Sequence, residues 1–246
     1  MIMRQSLTAL LVMSSVLAAT GSPAYADYNV RPTVYGKTFG QWSAQWWQWA
    51  YAGRDGRNAV QDTTGEFCAN HQPNGKVWFL AGTFGGKGVE RTCTIPPNRA
   101  LFYSPLNGLW TDCPGTSDET LTDAEVRQIL TSFGTGGDTA CKITSTLDGV
   151  SISSLKVLTA RTQSPKFTTI LPTNNLVAGC PAPLPPGKTG RQISEGYWIM
   201  LPPLSPGEHT LTLDGASCDP DTGEVTFESG VTYHLTVLAG PSSDVE

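Results

Sequence analysis

The most informative segment of the chain reads TFGQWSAQWWQWAY, residues 38–51. It contains four of the seven tryptophans, and no charged residue lies between Lys37 and Arg54. Thr38 and Gln41 have the spacing of a capping box, in which each side chain bonds to the backbone N–H of the other residue. The segment therefore predicts a helix over about residues 38–52.

The apolar side chains of this helix cover more than half of its circumference when successive residues are placed about 100° apart. The remaining strip consists of Gln41, Gln45, Gln48 and Ala52. A helix with so wide an apolar surface is covered by protein on most sides. We therefore expect it to be the central packing element of the fold rather than an exposed platform for a ligand.

The N-terminus has the pattern of a secretory signal peptide over residues 1–26. Arg4 provides a positive charge, residues 7–19 are mostly apolar, and Ala24-Tyr25-Ala26 is a cleavage site of the small-x-small type. The apolar run is too short to be a transmembrane anchor. We expect cleavage near Ala26 and export, either to the periplasm or as a secreted protein.

The composition favours a mainly β protein. Only 15% of the 246 residues are charged, whereas 26 are glycine and 18 are proline, which suits many short strands joined by turns. We therefore predict a single β-sandwich domain over residues 27–246, jelly-roll or Ig-like, with the tryptophan helix packed on it. The net charge of −5 comes without a basic cluster, which argues against nucleic acid as a partner.

Local signals place several elements of this sandwich. Asp148-Gly149 lies between two runs of β-forming residues and predicts a hairpin. A second capping box, formed by Thr122 and Glu125, predicts a short helix that ends near Ser132. Strands are predicted at four apolar runs, residues 77–81, 100–104, 196–201 and 231–237.

The cysteines predict three disulfides, because their number is even and the chain is expected to be exported. They are Cys68, Cys93, Cys113, Cys141, Cys180 and Cys218. We expect sequential pairing, Cys68–Cys93, Cys113–Cys141 and Cys180–Cys218, since each pair then encloses a compact block. No Cys-x-x-Cys or His-x-x-x-His spacing occurs, so neither a metal site nor a cofactor is predicted.

Three blocks of the chain together resemble a family of exported bacterial and archaeal proteins that has no assigned function. The first block is Tyr35-Gly36 followed by Trp42-x3-Trp46-Trp47-x-Trp49. The second is VWFLAGTFG at residues 77–85, and the third is GYWIML at 196–201 with PGEHT at 206–210. The resemblance extends over about residues 35–237. It implies a secreted β-rich domain and provides no catalytic residues.

Sequence motifs of catalysis are weak in this chain. There is no Gly-x-Ser-x-Gly nucleophile elbow. Asp62-Thr63-Thr64-Gly65 and Asp221-Thr222-Gly223 resemble the Asp-Thr-Gly loops of aspartic proteases, but the apolar strand residues that precede such loops are missing. We interpret both as turns, in which Asp provides local hydrogen bonds and Gly a positive φ.

Five residues are candidates for binding a ligand: Tyr103, Trp110, Glu195, Tyr197 and His209. Trp110 is expected in a loop, where an aromatic ring is more exposed than in a strand. Glu195 precedes an aromatic pair, as an acid in a sugar subsite does, but a solvated acid before a strand is the simpler interpretation. His209 is expected at the rim of the sandwich, bonded to a loop carbonyl.

Three functions fit these features, in decreasing order of preference. The first is a binding protein for a glycan or another envelope component. The second is a structural or assembly protein of the envelope that docks a partner through the tryptophan helix. The third is a secreted hydrolase that uses carboxylates or a histidine–acid pair, provided that its candidate residues meet in one pocket. Those candidates are Asp62, His71, Glu195 and Glu208.

Overall fold

The computed structural model describes residues 33–132, 139–155 and 157–241. Within them the chain is a mainly β structure of two large sheets, with the tryptophan-rich helix packed on one of them. The expected signal peptide, residues 1–26, lies outside the described residues. No helix in these ranges has the length and the apolar character needed to span a membrane.

The described helices and strands are, in chain order, α1 (Phe39–Ala50), β1 (Val77–Phe79), β2 (Gly86–Ile95), β3 (Ala100–Thr111), α2 (Asp123–Ser132), β4 (Ala140–Leu147), β5 (Val150–Ser151), β6 (Leu158–Gln163), β7 (Ile170–Leu171), β8 (Gly187–Lys188), β9 (Gln192–Leu201), β10 (Gly207–Cys218) and β11 (Val225–Val237). Short 3₁₀ turns occupy Ser117–Thr120 and Ile152–Ser154.

The strands form two mixed sheets and a small ribbon. Sheet one has the order β1-β3-β9-β6, sheet two has the order β2-β11-β10-β4-β5, and β7 pairs with β8. Most neighbours are antiparallel, but β1 pairs with β3 and β2 with β11 in parallel. The predicted hairpin is confirmed, because β4 and β5 pair around Asp148 and Gly149, whose φ angles are 51° and 80°.

Sheet one lies between α1 and sheet two, so both of its faces are buried. Alternate residues of its strands enter different cores, as the pleat of a strand requires. In β3, Phe102 packs with the helix whereas Leu101 packs with sheet two. In β9, Trp198 packs with the helix and Ile199 packs with sheet two. This double burial explains why both strands read as continuous apolar runs rather than as alternating patterns.

The predicted tryptophan helix is confirmed over Phe39–Ala50. Both bonds of the capping box between Thr38 and Gln41 are present, and nine of the twelve helical residues are buried. Gly40 allows a close approach to sheet one, since a Cβ there would lie 2.6 Å from the carbonyl oxygen of Gln163. The helix is therefore a packing element, as its wide apolar surface indicates.

The second predicted helix is confirmed over Asp123–Ser132. Thr122 and Glu125 exchange the two hydrogen bonds of the capping box. The helix covers one end of sheet one, where Val126 and Leu130 pack against Ile193 of β9.

The disulfides join Cys68 to Cys93, Cys113 to Cys180 and Cys141 to Cys218. The first expected pair is confirmed, and the other two sequential pairs are wrong. Strands β4 and β10 are antiparallel neighbours in sheet two, which brings Cys141 beside Cys218. Cys113 follows β3 and bonds instead to Cys180, which directly precedes a proline-rich loop, residues 181–186. The order of the cysteines along the chain shows neither of these contacts.

Strand β3 continues beyond the expected end at residue 104. It extends to Thr111, and its register against β9 shifts between Tyr103 and Leu106. Pro105 lies within this β-bulge, where its missing N–H leaves no ladder hydrogen bond unpaired. Trp110 therefore lies in a strand, and the expectation that it lies in a loop is wrong.

Candidate functional site

A cleft of about 440 Å³ opens beside the C-terminal half of α1. The helix contributes Trp46 and Trp47, and its C-cap residue Tyr51 follows them. The loop after β1 contributes residues 82–84, and the bulged part of β3 contributes residues 104–109. This volume lies in the range of clefts that hold small ligands. The helix that organises the core therefore also forms one wall of a cavity.

The bulge in β3 is fixed from both sides. The Ser104 hydroxyl donates to the carbonyl oxygens of Leu106 and Tyr197, at 2.9 and 2.8 Å. On the other side Gly215 of β10 leaves room for the chain, because a Cβ there would lie 2.4 Å from the Pro105 carbonyl oxygen. These contacts hold the floor of the cleft in place, as bulges beside binding sites do.

The buried side chain of Arg91 lies behind the cleft wall and bonds to the two loops that carry Val60 and Gly82. Its side chain is only 1% exposed, and its guanidinium donates to carbonyl or hydroxyl oxygens at 2.6–3.1 Å. Two of these acceptors, the carbonyl groups of Val60 and Gly82, belong to residues that line the cleft. The full set of acceptors is Val60, Asp62, Ala81, Gly82 and Tyr233. Arg91 thus joins two cleft loops to sheet two.

Asp62 closes the turn next to Arg91. Its carboxylate accepts from the backbone N–H groups of Thr64, Gly65 and Phe67 at 2.8–2.9 Å. Burial by itself raises the pKa of Asp62, but these N–H groups and the Thr64 hydroxyl outweigh it and the pKa is lowered. Asp62 is therefore an ionised turn residue, which agrees with the interpretation of this Asp-Thr-Gly-like segment as a turn.

Aromatic rings follow one another from the depth of the cleft to its mouth. The rings of Trp46 and Trp47 are in edge contact, with their centroids 5.2 Å apart. The rings of Trp47 and Tyr51 are also in edge contact, with their centroids 5.3 Å apart. Phe84 lies 6.4 Å from Tyr51 and is 45% exposed. Burial raises the pKa of the Tyr51 phenol far above its usual range, so this group is neutral.

The indole N–H groups of α1 differ in their hydrogen bonding. Trp42, Trp46 and Trp49 donate to main-chain carbonyl oxygens at 2.7–2.9 Å. Trp47, only 6% exposed, finds no acceptor for its buried Nε1 in the part of the chain that the structure describes. Because an unpaired buried donor costs roughly 1–3 kcal/mol, Trp47 is an exception in an otherwise satisfied helix.

The cleft combines apolar side chains with uncharged polar groups. The described residues that line it include no Asp, Glu, Lys, Arg or His. Its hydroxyl and amide groups already take part in internal hydrogen bonds: Thr83 donates to Gly86, and Gln61 donates to Asp55. The cleft therefore has no ionised side chain with which to bind an ion or to transfer a proton.

Two further depressions are less suited to a ligand. One, of about 390 Å³, lies between β4, β6 and β9, and its cation Arg161 is already paired with Glu195. The other, of about 590 Å³, is an open surface groove beside Lys166 and Lys188.

Tyr103 and Trp110 do not line the cleft. Tyr103 is fully buried between the sheets, and its hydroxyl lies 3.0 Å from the Ser145 hydroxyl. Trp110 is half-buried under α2 and donates from Nε1 to Asp112 at 2.8 Å. Tyr103 is therefore part of the packed interior, and Trp110 packs against its edge.

Glu195 is buried, so the expectation of a solvated acid is wrong. Its Oε1 accepts from Arg161 at 2.9 Å, and its Oε2 accepts from Gln163 at 2.7 Å and from Thr131 at 3.0 Å. The carboxylate ties α2 and β6 to β9. Tyr197 is half-buried beside Arg161, at 5.8 Å from the guanidinium, and lines the 390 Å³ cavity.

His209 lies between Asp148 and Ser205 in an order that resembles a serine hydrolase triad. Its Nδ1 is 2.8 Å from Asp148 Oδ2, and its Nε2 is 3.4 Å from Ser205 Oγ. However, Nε2 is closer, at 2.9 Å, to the Ser205 carbonyl oxygen, which can only accept. The bond to Asp148, together with this carbonyl, raises the pKa of His209. Because that carbonyl can only accept, Nε2 carries a proton and has no lone pair with which to take one from the Ser205 hydroxyl, so these residues form a clamp between two turns.

The other residues proposed for a hydrolase have separate surroundings. Asp62 closes its own turn, Glu195 pairs with Arg161, and Glu208 accepts from Thr236. His71 is an exposed residue with a positive φ of 54°. None of these four proposed residues lines the three depressions described above. No group of three or more His, Cys, Asp or Glu side chains in the described ranges could hold a metal ion.

None of the cleft-lining side chains is among the five binding residues predicted from the sequence. Trp47 and Tyr51 belong to the apolar surface that indicates burial, and they are buried. Phe84 carries the one available signal, a large aromatic residue within a Gly-Thr-Phe-Gly-Gly turn, where exposure is expected. The missing acceptor of Trp47 depends on the tertiary structure and leaves no mark in the sequence.

Comparison with known proteins finds no matching family model, no matching curated protein and no matching solved structure. The functional interpretation of the cleft therefore depends on its own geometry and chemistry.

Proposed function

We propose that the protein is exported and acts by binding a small ligand in the cleft beside α1. Export is supported by the signal-peptide pattern of residues 1–26 and by the three disulfides, which persist in oxidising compartments. The resemblance to a family of exported proteins is part of the same proposal. The periplasm and the extracellular medium are both compatible destinations.

One observation carries the proposal: a cleft of about 440 Å³ whose wall combines aromatic rings with uncharged polar groups. Pockets of this size and composition are the usual sites of small-ligand binding. Phe84 is partly exposed at the mouth, and residues 104–109 of the β3 bulge line the floor. Aromatic faces with hydroxyl and amide groups also suit sugar rings, so a neutral glycan or another uncharged envelope component is the proposed source of the ligand.

The two alternative functions have less support. Docking of a partner through α1 requires exposed indole rings, whereas its four tryptophans are at most 6% exposed. Hydrolysis by carboxylates requires a shared pocket, whereas Asp62, Glu195 and Glu208 have different partners. Ligand binding is the function that the geometry favours.

A matched pair of variants tests the proposal. Ala178 is exposed and lines the cleft, whereas Ala182 is exposed nearby in the chain and lies outside the cleft. The purified protein is screened by ligand-observed NMR against neutral mono- and oligosaccharides and uncharged aromatic compounds. We expect ligands that bind the wild type to lose binding in Ala178→Trp and to keep it in Ala182→Trp. Equal binding by both variants, or no binding across the panel, would contradict the proposal.

A further inference from the structure

The cavity of about 390 Å³ between the two sheets is separate from the cleft beside α1. Strands β6 and β9 of sheet one line one side of it, and β4 and the 3₁₀ turn Ile152–Ser154 line the other. It has no described lining residue in common with the cleft. It is less suited than the cleft to a polar ligand, because its cation Arg161 is already paired with Glu195. An apolar ligand needs no such partner.

Ile143 shows that the protein does not fill this space. Three residues of β4 lie on its face toward sheet one, Ile143, Ser145 and Leu147, because alternate residues of a strand share a face. The Ser145 hydroxyl lies 3.0 Å from that of Tyr103 in sheet one, and Leu147 packs against the core between the sheets. Ile143, by contrast, is 37% exposed and lines the cavity. The sheets therefore leave one apolar side chain of an inner face uncovered.

Apolar groups and hydroxyl groups occupy different parts of this cavity. The buried apolar residues of its lining are Ile152, Ala160, Trp198 and Ile199. The exposed lining residues that carry a hydroxyl are Thr144, Ser151, Ser153 and Thr159. The buried hydroxyl of Ser145 is satisfied within the protein, since it donates to the carbonyl oxygen of Thr212. Because buried lining residues lie deeper than exposed ones, the cavity has an apolar interior and a rim of hydroxyl groups.

The ion pair in the wall disfavours a charged ligand. Arg161 and Glu195 are joined over 2.9 Å, with 19% and 4% of their side chains exposed. An anionic group that enters the cavity loses its hydration and competes with the Glu195 carboxylate for the guanidinium. The hydroxyl groups of the rim, in contrast, can both donate to and accept from a neutral polar group.

From these observations we infer that the cavity binds an uncharged amphiphile, with its aliphatic chain between the sheets and its hydroxyl-bearing head group at the rim. The chain covers Ile143 and the apolar interior, which removes apolar surface from water. Monoacylglycerols have this chemistry. The inference concerns a second site and does not depend on ligand binding in the cleft.

Three probes separate the parts of this inference. The compound 1-octanoylglycerol has both the chain and a neutral head group, octanoate has the same chain with a negative charge, and glycerol lacks the chain. Titrations below the critical micelle concentration are followed by the methyl signals of isoleucine, assigned by Ile→Val replacement. We expect 1-octanoylglycerol to shift the signals of Ile143 and Ile199 and not those of Ile95 and Ile193, which do not line the cavity. Octanoate and glycerol should bind at least about tenfold more weakly.

The matched variants are Ser153→Trp and Ser154→Trp. Both serines are exposed in the same 3₁₀ turn, but Ser153 lines the cavity and Ser154 does not. Because an indole at position 153 fills the rim, we expect Ser153→Trp to weaken the binding of 1-octanoylglycerol at least about tenfold. Ser154→Trp should bind it like the wild type. The wild-type methyl shifts give a second readout if a variant does not fold.

The outcomes distinguish this site from the cleft beside α1. We expect Ala178→Trp, which blocks the cleft, to bind 1-octanoylglycerol like the wild type. Loss of binding in Ala178→Trp but not in Ser153→Trp would overturn this inference and leave the proposed function standing. Binding of octanoate or glycerol as tight as that of 1-octanoylglycerol would overturn the class of ligand. Unchanged Ile143 and Ile199 signals in the wild type would overturn the site.

Discussion

The indole N–H of Trp46 donates to the carbonyl oxygen of Leu80 over 2.9 Å, which ties α1 to the segment that follows β1. The Trp46 ring is 2% exposed and meets the Trp198 ring edge-on, with centroids 5.5 Å apart. The residue therefore connects the helix to both the main chain and the core side of sheet one.

Removal of this side chain tests whether α1 is a packing element. We expect Trp46→Ala to lower the free energy of unfolding by about 3–5 kcal/mol, because it leaves a large cavity in the core. Trp46→Phe keeps most of the ring contact and leaves the Leu80 carbonyl without its donor, so about 1–3 kcal/mol is expected. Urea denaturation followed by circular dichroism measures both. A Trp46→Ala protein with the same free energy of unfolding as the wild type would show that the helix is not needed for packing.

The features that the sequence predicts correctly are those with local causes. The capping box of Thr38 and Gln41 involves neighbouring residues, and the Asp148-Gly149 hairpin depends on two φ angles. The burial of α1 also follows from its own side-chain pattern. Such signals need no knowledge of what lies across the fold.

The features that the sequence does not predict depend on distant residues. Cys141 meets Cys218 because β4 pairs with β10, and Glu195 is buried because Arg161 of the neighbouring strand pairs with it. The cleft depends on the β3 bulge, which Gly215 of another sheet accommodates. The order of residues along the chain does not show which of them become neighbours in the fold.

Gly65 offers a test of close main-chain packing. Its φ is +97°, and a Cβ there would lie 1.9 Å from the Thr92 carbonyl oxygen. Gly56 also has a positive φ, +70°, but has no atom within 4 Å of such a Cβ. We expect Gly56→Ala to cost about 1–2 kcal/mol from backbone strain alone, and Gly65→Ala to cost on the order of 3 kcal/mol or more. Equal losses in urea denaturation would show that the chain can move away from Thr92.

Arg91 should be essential to the fold because its buried guanidinium donates to five protein oxygens. Arg91→Met leaves several buried oxygens without a donor, so we expect a loss of at least about 3 kcal/mol in the free energy of unfolding. Lys87→Met is the control, because Lys87 pairs with Glu228 at the surface with 68% of its side chain exposed, and should change stability by less than about 1 kcal/mol. Thermal unfolding of both variants provides the measurement. A loss for Arg91→Met no larger than for the control would contradict this role.

The clamp between His209 and Asp148 makes stability depend on pH in a defined direction. The pKa of His209 is raised above 6.5, mainly by its hydrogen bond to Asp148, so its contribution is complete below pH 6.5 and is lost as the pH rises through the raised value. Burial raises the pKa of Asp148, but the bonds from His209 and Thr210 outweigh it and the net pKa lies below 3.8. The contribution of Asp148 is therefore lost only as the pH falls below 3.8. The clamp should stabilise the fold between these two limits.

We expect His209→Gln to destabilise the protein more at pH 5.5 than at pH 9, because only the protonated ring of the wild type attracts the Asp148 carboxylate. The difference should remain below about 1 kcal/mol, since the Asp148 side chain is 48% exposed and solvent screens the pair. His234→Gln is the control, because His234 lies 3.6 Å from Glu90 with both side chains at least half exposed. Urea denaturation at the two pH values gives the comparison. A loss for His209→Gln that is equal at both pH values, or larger at pH 9, would show that the ring acts through packing and not through its charge.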